Sequence, residues 1–497
     1  MTTIVPRWEW RTFGRRFGIA ESRFAALQPT AVQDSDELYL LAGSADNLKI
    51  RDALMDIKVL REVSPDGLER WEPVMKQGFP LAAADMQKVF AALNLPAPAL
   101  ARDAYTLEQF LAELVVPSGA LRPVNVHKRR VRYKVGGCTA EVTDITAEGK
   151  ATRSIAIESE DAAAVIAAVA SVGLADYCNM SYPRGLRALL DGAPERYAVI
   201  DAGTNSIKFH IAERAADGSL RAVVDRAEMT RLGEGLEESG EIGHEAIERA
   251  VAAIAKMVEE AKQNGVLAIA AVGTAGLRMA RNGAAVIATI RARTGVAIEV
   301  ISGEEEGRLA YLAVKAGLGL PEGSLVVFDT GGGSSQFTFG RGAHVDERFS
   351  VDVGAVRYTE RFGLDNVVSP EVLEDALAAI AADLTRIEGR PAPDLLVAMG
   401  GAITNLAAVK HALKTYDPDI VQGTVLDRAE IDRQIELYRS RSAEERRTIV
   451  GLQPKRADVI LAGACIVRTV MEKLRQDALR VSDRGLRHGL VVERFGG

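Results

Sequence analysis

Cysteine is nearly absent from this chain of 497 residues, and the three that occur, Cys138, Cys178 and Cys465, lie far apart. That spacing supplies neither a disulfide framework nor a metal or redox motif, so buried thiols in a reducing compartment are expected. Aromatic residues are 5% of the chain, and no clear platform for a nucleobase stands out among them. Long apolar runs are missing too. None approaches the ~20 residues needed to cross a membrane, and the opening MTTIVPRWEWRTF lacks the unbroken apolar core of a signal peptide. These absences point to a soluble, cytoplasmic protein with no membrane partner. A strong charge of one sign is also lacking. The formal net charge is −7, and residues 1–190 hold 23 Lys and Arg against 23 Asp and Glu, so the whole deficit lies beyond them. Global steering towards nucleic acid or another polyanion is therefore not expected, and any phosphate recognition has to be local.

What is present divides the chain. A length of 497 residues, 47% of them hydrophobic, is too great for one core and suggests two to four domains. The stretch LDGAPERYAVIDAG (190–203) reads as a boundary. Before it come charged, strand-like pieces. After it, short β runs (YAVID, KFHIAE, AVVDRA, AIAAVGT, AIEVIS, LVVFDT, SQFTFG, LLVAMGG) alternate with helical stretches such as 244–265 and EEEGRLAYLAVKAGLG. That alternation implies an α/β region with mainly parallel sheets. YAVIDAGTNSIKFHIA and LVVFDTGGGSSQFTFG also share one plan, about 130 residues apart: apolar strand, Asp, Gly-containing turn with hydroxyls, second strand. Such a repeat suggests two similar subdomains whose turns face each other as a phosphate clamp.

Each turn has chemistry to offer. Gly203 and Gly331, Gly332 and Gly333 let successive backbone N–H groups approach an anion. Thr204, Asn205, Ser206 and Lys208 in one copy, and Ser334 and Ser335 in the other, add donors for phosphate oxygens. Asp201 and Asp329, at strand ends, would repel phosphate directly and make sense as holders of Mg²⁺ bridging to it. An ordinary Asp-Gly hairpin turn is the plainer explanation of either copy alone. In VISGEEEGRLAYLAV (300–314), three glutamates open a helix, where acids are ordinary partners of the macrodipole. Alternatively, one of Glu304, Glu305 and Glu306 activates a water, and composition does not choose among them. Arg278, in VGTAGLRMARNG, could clamp phosphate or simply be solvated. Arg357 and Arg456 occupy similar settings, and the glycine pair of AMGGAITNL is explained by a tight turn.

Taken in order, IDAGTNSIKFHIA, GTAGLRMARNG, ISGEEEGRLAYLAV, FDTGGGSSQFTFG, GAVRYTERFG, MGGAIT, KRADVILAG and VSDRGLRHGL resemble the exopolyphosphatase/guanosine pentaphosphate phosphohydrolase family over residues 196–497. The resemblance implies an actin-like, sugar-kinase-like duplicated α/β fold, in its short form, with a homodimer plausible. It implies subdomains at 196–318 (with a C-terminal helix at 484–497) and 319–483. The activity implied is Mg²⁺- or Mn²⁺-dependent hydrolysis of the terminal phosphoanhydride of inorganic polyphosphate, with guanosine pentaphosphate or another nucleotide as the alternative substrate. It makes Glu306 the general base, the Gly-rich turns phosphate binders and Asp329 a metal holder, to which the reading of the residues adds Asp201 at the metal and Arg278 as a positive clamp. One position departs. The family usually has Ser-Thr-Glu where this chain has Ser334-Ser335-Gln336, so the metal site keeps a carbonyl acceptor at Gln336 and loses a charge. A weakly catalytic polyphosphate-binding sensor is therefore a second alternative.

Within residues 1–190, charges alternate along strands. Lys128, Arg130, Arg132 and Lys134 share one parity, as do Arg7, Glu9 and Arg11, and Arg70, Glu72 and Lys76. Such strands build either a half-solvated antiparallel sheet with its charged face to water, or a closed sheet with charges lining a tunnel for a polyanion. NLKIRD, MDIKVL, RWEPVMK, VHKRRVRYK, EVTDI, IAIESE and SYPRGLRALL resemble the triphosphate tunnel (CYTH) family. That resemblance implies an α+β antiparallel barrel binding polyphosphate. The family opens Glu-x-Glu-x-Lys, whereas Arg7-x-Glu9-x-Arg11 lacks the first glutamate, which suggests capture without cleavage.

Overall fold

The structure is a computed structural model and describes residues 6–43, 46–204, 206–234, 236–319, 322–342 and 344–496. It divides into two compact bodies: Met1–Ala271 with Ala280–Glu299 and Arg494–Gly497, and Val272–Met279 with Val300–Glu493. The helix Gly303–Leu318, expected with the first α/β subdomain, groups with the second body instead. No helix among the described residues is long and apolar enough to cross a membrane.

In the first body the N-terminal strands close on themselves. Around the barrel run Arg7–Gly14, Lys150–Ser159, Cys138–Ala147, Arg122–Val135, Ala31–Leu41, Asn47–Arg51, Leu54–Val63 and Glu69–Gly78. Closure leaves no free edge and sends alternate side chains to an enclosed interior. Along Arg122–Val135 the buried positions from 124 to 130 alternate, Val124, Val126, Lys128 and Arg130, so apolar and basic side chains of one parity face the same interior, and Val135 is buried at the strand's end. The helix Tyr182–Asp191 plugs the apolar end, packing Tyr182, Leu186 and Leu190 against Phe13, Tyr39, Val124 and Ile145. Gly185 is required there, because a Cβ would meet the Phe13 ring at 2.2 Å.

The barrel is welded to the α/β sheet of the same body. Tyr177 forms a β-bridge with Ala268, the Cys178 N–H donates to Leu267 (2.8 Å), and the Ile269 N–H donates to Asp176 (2.8 Å). The Arg15 N–H donates to Glu195 (2.8 Å), and Arg291 pairs with Asp66 at 3.0 Å. The sheet runs Leu220–Met229, Ser206–Arg214, Arg196–Ala202, Ala268–Gly273, Glu299–Val300. The expected strand at AIEVIS pairs only at Glu299–Val300, on the sheet's edge.

The second body repeats that order: His344–Val351, Ser335–Arg341, Ser324–Thr330, Leu395–Met399, Ala478–Ser482, then Val425–Asp427. Both sheets thus open third, second, first, fourth, which is the duplicated, actin-like plan; the second then continues with its sixth and fifth strands. The sheets are mixed rather than mainly parallel. Tight turns force the hairpins antiparallel, and only helical crossovers let Ser324–Thr330, Leu395–Met399 and Ala478–Ser482 run parallel. Parity sorts the central strand. Val326 and Phe328 face the larger core with Phe337, Leu396 and Ala398, whereas Leu325 and Val327 face Tyr311 and Val314 of the Gly303–Leu318 helix. Asp329 shares parity with Leu325 and Val327 and so lies on the helix side.

That helix is seated by close backbone approach, since a Cβ on Gly489 would lie 1.9 Å from the Leu309 carbonyl oxygen. Gly489→Ala should therefore shift the helix or cost about 1–3 kcal/mol, as overpacking does. Urea unfolding of the variant beside the wild type checks this, and an unchanged midpoint would contradict it.

Candidate functional site

The second body gathers a carboxylate, arginines and bare backbone. Ser302 caps the Gly303–Leu318 helix by accepting from the Glu305 N–H, and the three glutamates then diverge. Glu304 is exposed, Glu305 turns to Arg308 (2.6 Å), and Glu306 accepts from Arg278 Nη1 at 2.9 Å. Only Glu306 meets Arg278, which is pinned by a second bond to the Ile301 carbonyl (2.5 Å). Geometry thus separates three acids that composition could not.

At the Gly-rich turn, the amides of Gly332, Gly333 and Ser334 donate no hydrogen bond among the described residues, while the Gly331 N–H closes the hairpin onto Ser334 O (2.9 Å). Successive undonated N–H groups are an anion nest. The turn stays tight because Gly354 crosses it, and a Cβ on Gly354 would meet Gly332 O at 2.3 Å. Gly331 O and Gly332 O accept from the Ala355 and Val356 amides opening the next helix. Ser335, expected to bind phosphate, does not face the turn: it is fully buried and donates to Val353 O (2.6 Å). Its parity is opposite to that of Gln336, which sends its hydroxyl into the core.

Asp329 is cross-strand from Gln336, which is cross-strand from Ser350. Gln336 Nε2 donates to Ser334 Oγ (2.8 Å) and Ser350 Oγ (3.4 Å), leaving only its carbonyl oxygen as an acceptor. The Asp329 carboxylate lies against Gly400, whose φ is 101° and whose Cβ would meet Oδ1 at 2.2 Å. Arg456 lies as tightly against Gly401, its Nη2 being 2.5 Å from a Cβ built there. The glycine pair therefore does more than turn the chain: it admits a carboxylate and a guanidinium. One carboxylate and one amide oxygen make a thin, hard donor set, fitting a cation that keeps several waters and takes its remaining oxygens from phosphate, as Mg²⁺ or Mn²⁺ does.

The first turn, in the first body, is built alike. Asp201 is 2% exposed, and its Oδ2 accepts from Lys208 Nζ at 3.0 Å, while Oδ1 is buried without a hydrogen-bond partner among the described residues. Lys208 is thus committed to Asp201, and the orphaned Oδ1 suits a cation or its water. Gly203 donates back to the Ser206 carbonyl (3.2 Å), Ser206 begins the return strand, and Asn205 lies outside the described residues. Gly233, which sequence reasoning missed, supports this turn. Its N–H donates to Thr204 O (2.8 Å), and its Cβ would collide with Thr204 Cγ2 at 2.2 Å.

The barrel interior of the first body is the second charged locus. A cavity of about 210 Å³ is lined by Arg11, Lys49, Arg51, Lys58, Lys128, Arg130 and Arg132 against Glu9, Glu141 and Glu158. Glu37 is enclosed beneath it, 2.8 Å from Lys128, 3.4 Å from Arg130, 3.7 Å from Arg51 and 3.9 Å from Lys49. Burial alone would raise the Glu37 carboxyl, but Lys128, Lys49 and Arg130 hold it down to about 2. Burial also raises Glu141, which Arg11 and Arg130 bring down to about 2. Arg11 donates to Glu9 (2.8 Å), Glu141 (3.0 Å) and Ser154 (3.1 Å), so a guanidinium neutralises the acids that would otherwise hold metal. Lys128 sits 3.8 Å from the Tyr182 ring centre and 4.6 Å from that of Tyr39. Burial drops its pKa to about 7, against the pull of Glu37. The Tyr182 hydroxyl, on a 5% exposed residue lining the cavity, has no hydrogen-bond partner among the described residues. Arg132 lines the cavity, while Lys134, next in the row, is exposed and donates to Thr139 (3.1 Å). Arg70 and Glu72 face outward, in surface pairs with Glu62 and Arg61.

Residues 211–496 match the Ppx/GppA phosphatase family. Exopolyphosphatase 2 of Mycobacterium tuberculosis is 29% identical over 324 residues, covering 61% of this chain and 99% of the relative. The bifunctional 3-dehydroquinate synthase/phosphatase of Fusobacterium nucleatum is 27% identical over 310 residues, 60% of this chain, which spans 46% of that relative's length. Among solved structures, the type II variant of the Aquifex aeolicus Ppx/GppA phosphatase superposes with a TM-score of 0.57 at 34% identity, over 61% of this chain and 99% of its own.

The barrel interior generates a pH prediction. Lys128 titrates near 7, below its ordinary value, and a polyanion favours its charged form. Binding of inorganic tripolyphosphate should therefore take up a proton, and affinity should fall as pH rises through 7, by up to about tenfold per unit. Calorimetry in buffers of differing ionisation enthalpy measures the uptake. Lys128→Met should abolish both proton uptake and pH slope, and a slope surviving in that variant would contradict the assignment.

Proposed function

The chain belongs to the Ppx/GppA phosphatase family, and from that premise we propose that it is an exopolyphosphatase releasing phosphate from the ends of inorganic polyphosphate. The observation that carries the reading is the meeting of Glu306 and Arg278 in the body that holds Asp329 and the undonated amides of Gly332, Gly333 and Ser334. Glu306 takes the proton from the attacking water. Arg278 orients the Glu306 carboxylate and presents positive charge to the phosphoryl oxygens. The amides of Gly332, Gly333 and Ser334 hold that group without a side chain intervening. Asp329, with the Gln336 carbonyl, would hold Mg²⁺ or Mn²⁺, which when bound neutralises phosphate charge. The Asp201–Thr204 turn of the first body carries the same hardware and is a second phosphate loop in this reading.

The barrel is the capturing module. Its cavity is positive and carries an orphaned hydroxyl, while its acids are occupied by arginines and lysines, which favours holding a phosphate chain over cutting one. A nucleotide substrate would need an aromatic surface for its base. In the second body Phe328, Phe337 and Phe349 instead stack on one another in the core, at 5.7 and 5.5 Å. Three unpaired thiols accord with a cytoplasmic setting.

Phosphate release from long-chain polyphosphate with Mg²⁺ or Mn²⁺ tests the function. Glu306→Gln should lower kcat by about 10²–10⁴-fold. No release by the wild type, alongside tight binding, would favour the sensor instead. Restoring the acid with Gln336→Glu should lower the Mg²⁺ concentration needed for half-maximal rate, since a carboxylate binds the ion better than an amide. An unchanged requirement would remove position 336 from the metal site.

A further inference from the structure

Arg348 is absent from every motif that marks the site in sequence, yet the sheet register brings it there. On the strand His344–Val351, Arg348 is cross-strand from Thr338, two residues from the Gln336–Ser350 pair. Cross-strand partners share a face, so Arg348 lies on the side of Asp329 and Gln336, one row along. The Gly303–Leu318 helix covers that face, and Arg348 runs across its first turns. A Cβ on Gly307 would lie 2.0 Å from Arg348 Cδ, and one on Gly303 would lie 3.2 Å from Nη1. The two glycines of GEEEG are thus a groove for this arginine, opened beside Glu306.

Its surroundings leave the charge uncompensated. Arg278 already donates to Glu306 and the Ile301 carbonyl, both through Nη1. Arg348 is half-buried and makes no hydrogen bond or ion pair among the described residues. Burial lowers its pKa and the Arg278 charge pushes the same way, with Glu306 and Glu304 opposing. Two guanidiniums thus surround Glu306, with Glu304 turned to solvent. A cation that is desolvated without a partner is costly unless an anion arrives.

We propose that Arg348 is a substrate-contacting residue of the hydrolase site, binding non-bridging oxygens of the phosphoryl group attacked beside Glu306 and stabilising the charge that develops on it. The proposal rests on the exopolyphosphatase reading. It also accounts for tolerance of Gln336: the positive charge lost with a weaker metal site is supplied by a guanidinium on the neighbouring strand. A guanidinium offers paired donors matched to phosphate, which an ammonium does not.

The test compares Arg348→Met, which keeps an apolar stem along Gly303 and Gly307, with Arg348→Lys, which keeps only the charge. Arg348→Met should lower kcat/KM for polyphosphate by about 10²-fold, mostly in kcat, the loss typical of one transition-state donor. Arg348→Lys should recover about tenfold of that loss. Inhibition by the product, inorganic phosphate, should weaken in Arg348→Met while the urea unfolding midpoint stays near the wild-type value. If Arg348→Met keeps kcat/KM and phosphate inhibition within threefold, the assignment is overturned. It is equally overturned if both variants lose activity together with stability, which would mark a packing role. Should the wild type release no phosphate, the hydrolase reading fails by itself. Calorimetry with inorganic tripolyphosphate, comparing Lys128→Met with and without Arg348→Met, still reads the arginine: weaker binding supports the contact and equal binding removes it.

Discussion

A carboxylate enclosed by protein stays ionised only where cations surround it, and Glu37 is the centre on which the barrel interior is organised. Four basic side chains approach its oxygens, two from the strand Arg122–Val135 and two from Asn47–Arg51. Removing the acid would leave those cations buried together, which protein interiors do not tolerate cheaply. Compensation is nevertheless incomplete. The cavity above Glu37 is lined by seven basic residues against three acids, so even with Glu37 the cations outnumber the carboxylates. That imbalance, rather than any single arginine, is what the capture proposed for the barrel rests on.

The second body reaches a similar imbalance by other means. Bare backbone does there what the closed sheet does in the barrel. Gly307 admits Arg348, Gly354 admits the Gly-rich turn, and Gly400 admits the Asp329 carboxylate, each at a distance that a Cβ would forbid. Charged groups are thereby brought within reach of one another without long loops to hold them. Arg278 and Glu306 sit on elements tied through Ile301, whose carbonyl binds Arg278 and whose N–H donates to Gly273 (3.1 Å). Positioning of this sort accords with phosphoryl transfer, in which the protein supplies orientation and charge rather than covalent chemistry.

The barrel is not a tethered accessory. The bridge at Tyr177, the backbone bonds of Asp176 and Cys178, and the Arg15–Glu195 link join it to the sheet that carries Asp201, within one compact body. The same segment continues to Asn179, which binds the Arg11 N–H (2.6 Å), and to Met180, whose N–H donates to the Arg11 carbonyl (2.6 Å). The barrel interior is therefore part of one compact body with that sheet, so the proposed capture would lose little linker entropy.

Local chemistry is what the sequence by itself determined. Strand-end aspartates, the glycine turns, the acid-rich helix start and the charged alternation of residues 1–190 were legible because each depends on neighbours along the chain. Tertiary structure decided whatever depends on which face meets which. It turned the basic halves of the N-terminal strands inward, where patterning alone allowed either direction. It buried Ser335 while exposing its neighbours to the turn, and it committed Lys208 to Asp201. It brought in Gly233 and Arg348 from segments that carry no motif. Alternation announces that a strand has two faces, but only closure of a sheet and the seating of a helix say which of them is inside.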